Sequence, residues 1–112
     1  MINANLEQFL DTGWFSEATL YLNGYTYWCE GCWNEEREKP MHFFVYKYES
    51  VIVDKIYTKP KNSNYETVFD IYGKSEEEVK EEFLKAKIFD GKSFWEVEKE
   101  IAWYDEIYVN VN

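Results

Sequence analysis

The residues of this chain best suited to chemistry are two cysteines and a histidine: Cys29 and Cys32, spaced as Cys-Glu-Gly-Cys, and His42, the only histidine. Two thiolates at this spacing can ligate zinc, with His42 as a third ligand. A closed structural zinc site takes four, and neither a second C-x-x-C nor a second histidine is present to complete it. As a redox pair the motif lacks the electropositive setting that favours thiolate, because Glu30, Glu35, Glu36 and Glu38 crowd it. The expectation is two reduced thiols at a strand end, Cys29 inward, with no metal and no cofactor. Cys29, Cys32 and His42 are the candidates for a metal or thiol protein.

Other catalytic arrangements fare no better. His42 reads as a strand histidine beside aromatic rings, since no serine lies in a G-x-S-x-G setting or another nucleophile context that would use it as a base. Carboxylates are abundant enough that any two could be posed as a glycosidase dyad, which makes their mere presence uninformative. The five glycines are scattered singly, so neither a P-loop nor a dinucleotide fingerprint is formed. The chain is read as a non-enzyme.

Charge points elsewhere. Twenty-two acidic residues against 12 basic ones give a net charge of −10. That charge repels nucleic-acid phosphates and anionic membranes and favours a basic partner. It is uneven: −5 over residues 1–40, +1 over 41–74 and −6 over 75–112. Glu76, Glu77, Glu78 and Glu96 fall in first helical turns, where the helix dipole favours them. Glu98, Glu100, Asp105 and Glu106 lie late in or beyond a helix, where it does not, and Glu35, Glu36 and Glu38 share one loop. These seven are the expected contacts to a basic, nucleic-acid-binding protein. In size, charge and aromatic content the chain resembles the small acidic inhibitors of phages and mobile elements, among them DNA-mimic antirestriction and anti-CRISPR proteins. The resemblance is compositional and carries over no functional residue. No apolar run reaches the ~18 residues of a membrane span, and the first ten residues lack the pattern of a signal peptide, so a cytoplasmic location is expected.

Aromatic residues make up 21% of the chain. At roughly 150–250 Å² buried apiece, they carry more area than one small core hides, so some are expected on a surface. A face made by Tyr21, Trp28, Phe44 and Tyr46 is the second candidate site, for a homodimer or a small apolar ligand.

The element that must position these groups is a hairpin over residues 14–30, hinged on Asn23-Gly24, the preferred pair for a type I′ turn. Its register sets Leu22 opposite Tyr25, Leu20 opposite Tyr27 and Ala18 opposite Cys29 on one apolar face, which needs a helix or further strands to cover it. A short first helix capped by Asn3 or Asn5 runs to about Leu10 with Leu6, Phe9 and Leu10 inward. Residues 31–40 read as a loop, 41–48 as a third strand and 51–58 as a fourth. A fifth at 65–72 has Tyr65, Thr67, Phe69 and Ile71 on one face. Ser75 with Glu78 and Ser93 with Glu96 form two capping boxes. The first opens a helix with Val79, Phe83 and Ala86 inward, stopped by Asp90-Gly91. The second opens a helix with Phe94, Val97, Ile101 and Tyr104 on one stripe, and residues 107–111 suit a last edge strand. The sum is one α+β domain over residues 1–112. It has an antiparallel sheet of about four to six strands, a short N-terminal helix and two C-terminal helices packed on one face.

Overall fold

The computed structural model describes residues 1–2, 5–15, 17–53, 56–58 and 65–104. It is an α+β structure. The first helix, α1 (Leu6–Asp11), is capped by the Asn5 side chain, which accepts from the Gln8 N–H at 3.1 Å. A 3-10 turn, Gly13–Phe15, then delivers the chain to β1 (Ala18–Leu22). Asn23 and Gly24 both have positive φ, 50° and 85°, as a type I′ turn requires. β2 (Tyr25–Trp33) therefore returns with Leu22 opposite Tyr25, Leu20 opposite Tyr27 and Ala18 opposite Cys29.

β2 runs three residues further than the sequence suggests, through Gly31, Cys32 and Trp33. The residues expected to form a loop are held because β3 (Met41–Glu49) pairs along the whole of β2, out to Trp33 with Met41. The expected fourth strand is instead two short ones, β4 (Val51–Val53) and β5 (Ile56–Thr58), paired as a separate hairpin. β6 (Glu66–Gly73) pairs with β3. Its register shifts between Val45 and Tyr46, so Val68 is an extra residue on the β6 side. A bulge of this kind breaks the two-residue alternation. Thr67 consequently lies opposite Tyr46, off the face that holds Phe69 and Ile71, and the single face expected for all of them is corrected.

α2 (Glu76–Lys85) starts at Ser75, whose hydroxyl accepts from the Glu78 N–H at 3.2 Å. Glu78 reaches back one residue further than a standard box, accepting from the Lys74 N–H at 2.9 Å. The second box forms as expected, with the Ser93 N–H donating to Glu96 Oε1 at 3.1 Å. The helix it opens, α3 (Phe94–Val97), is only one turn long. Glu98–Glu100 tighten into a 3-10 turn, and β7 (Ala102–Tyr104) pairs with β1. Tyr104 is thus a strand residue and not part of a helical stripe, while Phe94, Val97 and Ile101 of that stripe reach the core. The strand expected at 107–111 lies outside the described residues.

The antiparallel sheet has the order β6-β3-β2-β1-β7. One face carries Leu20, Leu22, Tyr27, Cys29, Met41, Phe43 and Val45, all buried. The helical segments close over it with rings: Trp14 packs on Phe43 at 4.9 Å, Phe83 on Phe43 at 5.0 Å, Phe89 on Tyr27 at 4.8 Å and Phe9 on Phe94 at 5.5 Å. Enclosing this many aromatic side chains removes a large apolar area from water, which is the main force holding the layers together. Among the described residues no helix is long and apolar enough to cross a membrane.

Candidate functional site

Because side chains alternate along a strand, the residues between those core positions form the opposite face of the sheet. Register sets them in rows. Cys32, His42 and Tyr72 make one; Glu30, Phe44 and Asp70 the next; Trp28, Tyr46 and Thr67 the third. Neighbours within a row have Cβ atoms roughly 4.5–5.5 Å apart. Rings fill the space between rows. His42 stacks on Tyr72 at 4.1 Å with the planes 6° apart, and Phe44 lies 5.1 Å from both His42 and Tyr46. Tyr65 extends the series, 4.6 Å from Tyr46.

Two carboxylates are set into this aromatic surface, one on each side of Phe44. Asp70 Oδ1 lies 2.6 Å from His42 Nε2, and half of the Asp70 side chain still meets solvent. Glu30 makes no ion pair among the described residues. Partial burial, followed by the nearby Tyr65, Glu30 and Asp70, holds the Tyr46 phenol above the ordinary tyrosine range. At the outer end, the Arg37 guanidinium lies over the Tyr72 ring, 5.2 Å from its centre, and donates to the Pro40 carbonyl at 2.9 Å. The chain's own cation thus already uses one ring of this face.

The four aromatic residues singled out from sequence all lie on this face. Phe44 and Tyr46 belong to the ringed surface, with Trp28 directly opposite Tyr46. Tyr21 and Trp28 also pack against a smaller buried cluster of Tyr48 and Ala102 toward the β7 side. No family model, curated protein or solved structure matches the chain.

The C-x-x-C pair does not converge. Cys29 is buried in the core, where burial pushes its thiol far above the usual range, whereas Cys32 is exposed on the ringed face beside His42. Among the described residues no group of three or more His, Cys, Asp or Glu side chains is placed to hold a metal ion. Strand alternation separates the two thiols: at a three-residue spacing they leave opposite sides of the sheet.

Of the seven carboxylates expected to form one array, the five among the described residues are dispersed. Glu35, Glu36 and Glu38 are exposed in the loop between β2 and β3, without ion pairs among the described residues. Glu98 is half-buried and engaged by the Met1 amino group, while Glu100 is exposed. Asp105 and Glu106 lie outside the described residues. Glu100 just precedes β7, whose first residue pairs with Tyr21 near the Asn23-Gly24 end of the sheet. The acidic loop is at the other end, across the nine residues of β2, roughly 27 Å at ~3.4 Å per residue.

The structure adds different neighbours to that loop. Met41 pairs with Gly73, so the loop before β3 and the first turn of α2 after β6 share one end of the sheet. Glu76, Glu77 and Glu78 are exposed there, and Lys80 is drawn away to the Leu10 carbonyl at 3.1 Å as well as to Glu77. This grouping depends on the pairing of β3 with β6, which no local signal in the sequence announces. Glu30 and Asp70 were missed for the same reason.

Proposed function

We propose that this chain is a small acidic binding domain that docks on the cationic surface of another protein, and that it acts as an inhibitor of a nucleic-acid-binding protein by occupying a basic groove. The observation that carries the reading is the standing surplus of exposed carboxylates. Glu7, Asp11, Glu35, Glu36, Glu38, Glu76, Glu81 and Glu100 are all exposed and unpaired among the described residues. A carboxylate in a neutralised lattice of ion pairs offers little to a partner, but one facing water alone does. The acidic loop and the first turn of α2 present such groups at one end of the molecule, which raises the local potential felt by an approaching cation.

A second reading, that the ringed face of the sheet is itself a binding surface, is favoured by the aromatic rows and the two carboxylates within them. The two readings are compatible, with the acidic end drawing the partner in and the sheet face making contact.

The test is capture from host lysate with the intact chain as bait, at about 0.1 M and about 1 M salt, where the screening length falls from about 10 Å to about 3 Å. The expected result is nucleic-acid-binding proteins retained at low salt, lost at high salt and displaced by duplex DNA. Partners indifferent to both salt and DNA would overturn the proposal.

A further inference from the structure

The ringed face has a chemical character that the acidic loop lacks, because its carboxylates stand among π-systems. Phe44 sits between Glu30 and Asp70 in one cross-strand row, with the Tyr46 ring tilted against it along the strand at 5.1 Å. An aromatic face attracts a cation through its quadrupole, and a flanking carboxylate adds a charge-assisted hydrogen bond. A flat guanidinium satisfies both at once, lying on a ring while its edge N–H groups reach a carboxylate. A lysine ammonium is a compact, strongly hydrated point charge and gains less from the stack. Arg37 already shows the ring half of this mode in the adjoining row, over Tyr72 at 5.2 Å, with its N–H on the Pro40 carbonyl in place of a carboxylate.

We propose that the Glu30–Phe44–Asp70 row, with Tyr46 beside it, is an arginine-binding site that receives a guanidinium from a basic partner protein. The proposal rests on the reading of the chain as an acidic binding domain and names the place where the partner is gripped. Charge argues for this occupant over a second copy of the chain. Two molecules of net charge −10 meeting through this face would oppose Glu30 and Asp70 to their own kind, a like-charge contact that disfavours association. An arginine-bearing segment meets the same groups with opposite sign. Among the described residues Arg37 is committed to Tyr72 and Pro40, Lys47 lies on the other face with Asp90 at 2.9 Å and the Tyr25 ring at 4.5 Å, and His42 meets Asp70 through Oδ1 alone, which leaves Glu30 and Asp70 Oδ2 for an incoming guanidinium.

The experiment titrates the intact protein with an octa-arginine peptide and with an octa-lysine peptide at about 0.1 M salt, by calorimetry. The expected result is tighter binding of octa-arginine, by roughly fivefold or more, since stacking distinguishes peptides of equal charge. Phe44→Ala should remove most of that preference. Glu30→Gln with Asp70→Asn, near-isosteric and so safe for the fold, should weaken octa-arginine about tenfold. The triple change Glu35→Gln, Glu36→Gln, Glu38→Gln should weaken both peptides alike and leave the preference intact. Equal affinity for the two peptides, or a preference untouched in the Phe44 and Glu30/Asp70 variants, overturns the site while leaving an acidic binding domain. Binding of neither peptide overturns the acidic-domain reading itself. A concentration-dependent dimer abolished by Phe44→Ala assigns the face to self-association and also overturns the site.

Discussion

Replacing Gly13 by alanine adds one methyl group where the structure has no room for it. A Cβ built at Gly13 lies 2.4 Å from Trp103 Cζ2 and 2.5 Å from Cη2. Those are ring atoms of a side chain that cannot easily retreat: Trp103 is buried, its backbone is paired to Leu20 in β1, and its ring meets Phe9 edge-on at 5.4 Å. Phe9 in turn is stacked on Phe94. Overpacking of this kind costs about 1–3 kcal/mol. Gly13 does not occupy the left-handed region, so alanine also restricts the unfolded chain and returns about 0.4–1 kcal/mol. The net expectation is a loss of about 1–2 kcal/mol. With a urea slope of about 1–3 kcal/mol per M, the unfolding midpoint falls by roughly 0.5–1 M. Gly31→Ala is the control. Its Cβ meets Phe15 at 2.5 Å, but Phe15 is only partly buried and can swing outward, so the loss should be smaller. In a Trp103→Phe background, where the smaller ring leaves space, Gly13→Ala should cost less than in the parent, and that coupling ties the effect to this contact. A Gly13→Ala midpoint at or above that of the parent would refute the argument that the turn after α1 is clamped against β7.

Two further outcomes follow from the titrating groups. Despite partial burial, the Asp90 hydrogen bond and the nearby Tyr27 hold the Lys47 ammonium above its ordinary range, and burial, resisted by Lys47, raises the Tyr27 phenol. A lysine raised in the fold contributes stability that is complete below its unfolded pKa and lost as pH rises through the folded one; a tyrosine raised in the fold likewise destabilises once the unfolded phenol ionises more readily. Thermal stability should therefore fall above about pH 10, and Lys47→Met should flatten part of that decline while costing no more than about 1 kcal/mol at neutral pH, since Asp90 is exposed. For the thiols, a disulfide-exchange reagent should modify one cysteine of the native protein and both after denaturation, and Cys32→Ser should leave the native protein unreactive, because Cys29 is enclosed in the core with its thiol held protonated.

What was legible in the sequence was whatever a few consecutive residues decide. Asn23-Gly24 fixed a turn type, the turn fixed a register, and the register assigned every side chain of the first hairpin to its face. Ser75 and Ser93 marked helix starts because a hydroxyl and a carboxylate three residues later answer backbone donors on the spot. Where the outcome depended on a distant partner, local reading failed. Gly31, Cys32 and Trp33 are strand because β3 lies beside them. Val68 is a bulge because two strands of unequal spacing must stay aligned between Val45 and Tyr46. α3 stops at Val97 because the chain must return to β1. The candidate site divides the same way: alternation placed Tyr21, Trp28, Phe44 and Tyr46 together, whereas the flanking of Phe44 by Glu30 and Asp70 is a product of cross-strand pairing.

The two faces of the sheet explain how so aromatic and so acidic a chain remains a single consistent design. Rings at Phe43, Phe83, Phe89 and Phe94 are enclosed by the helical layer, while those at His42, Phe44, Tyr46, Tyr65 and Tyr72 form a layer of their own on the far side. A sheet face of that composition would invite a second copy, and the remedy natural sheets use is charge placed within the apolar surface. Glu30 and Asp70 are such charges, one on the inner strand β2 and the other on the edge strand β6. On the proposed reading, the same two carboxylates that discourage self-association would also select a guanidinium. The exposed acids of the β2–β3 loop and of α2 act at longer range, where screened electrostatics govern encounter more than grip. On the proposed reading, charge far from the rings would set how quickly a basic protein arrives, and charge among the rings which of its side chains is held.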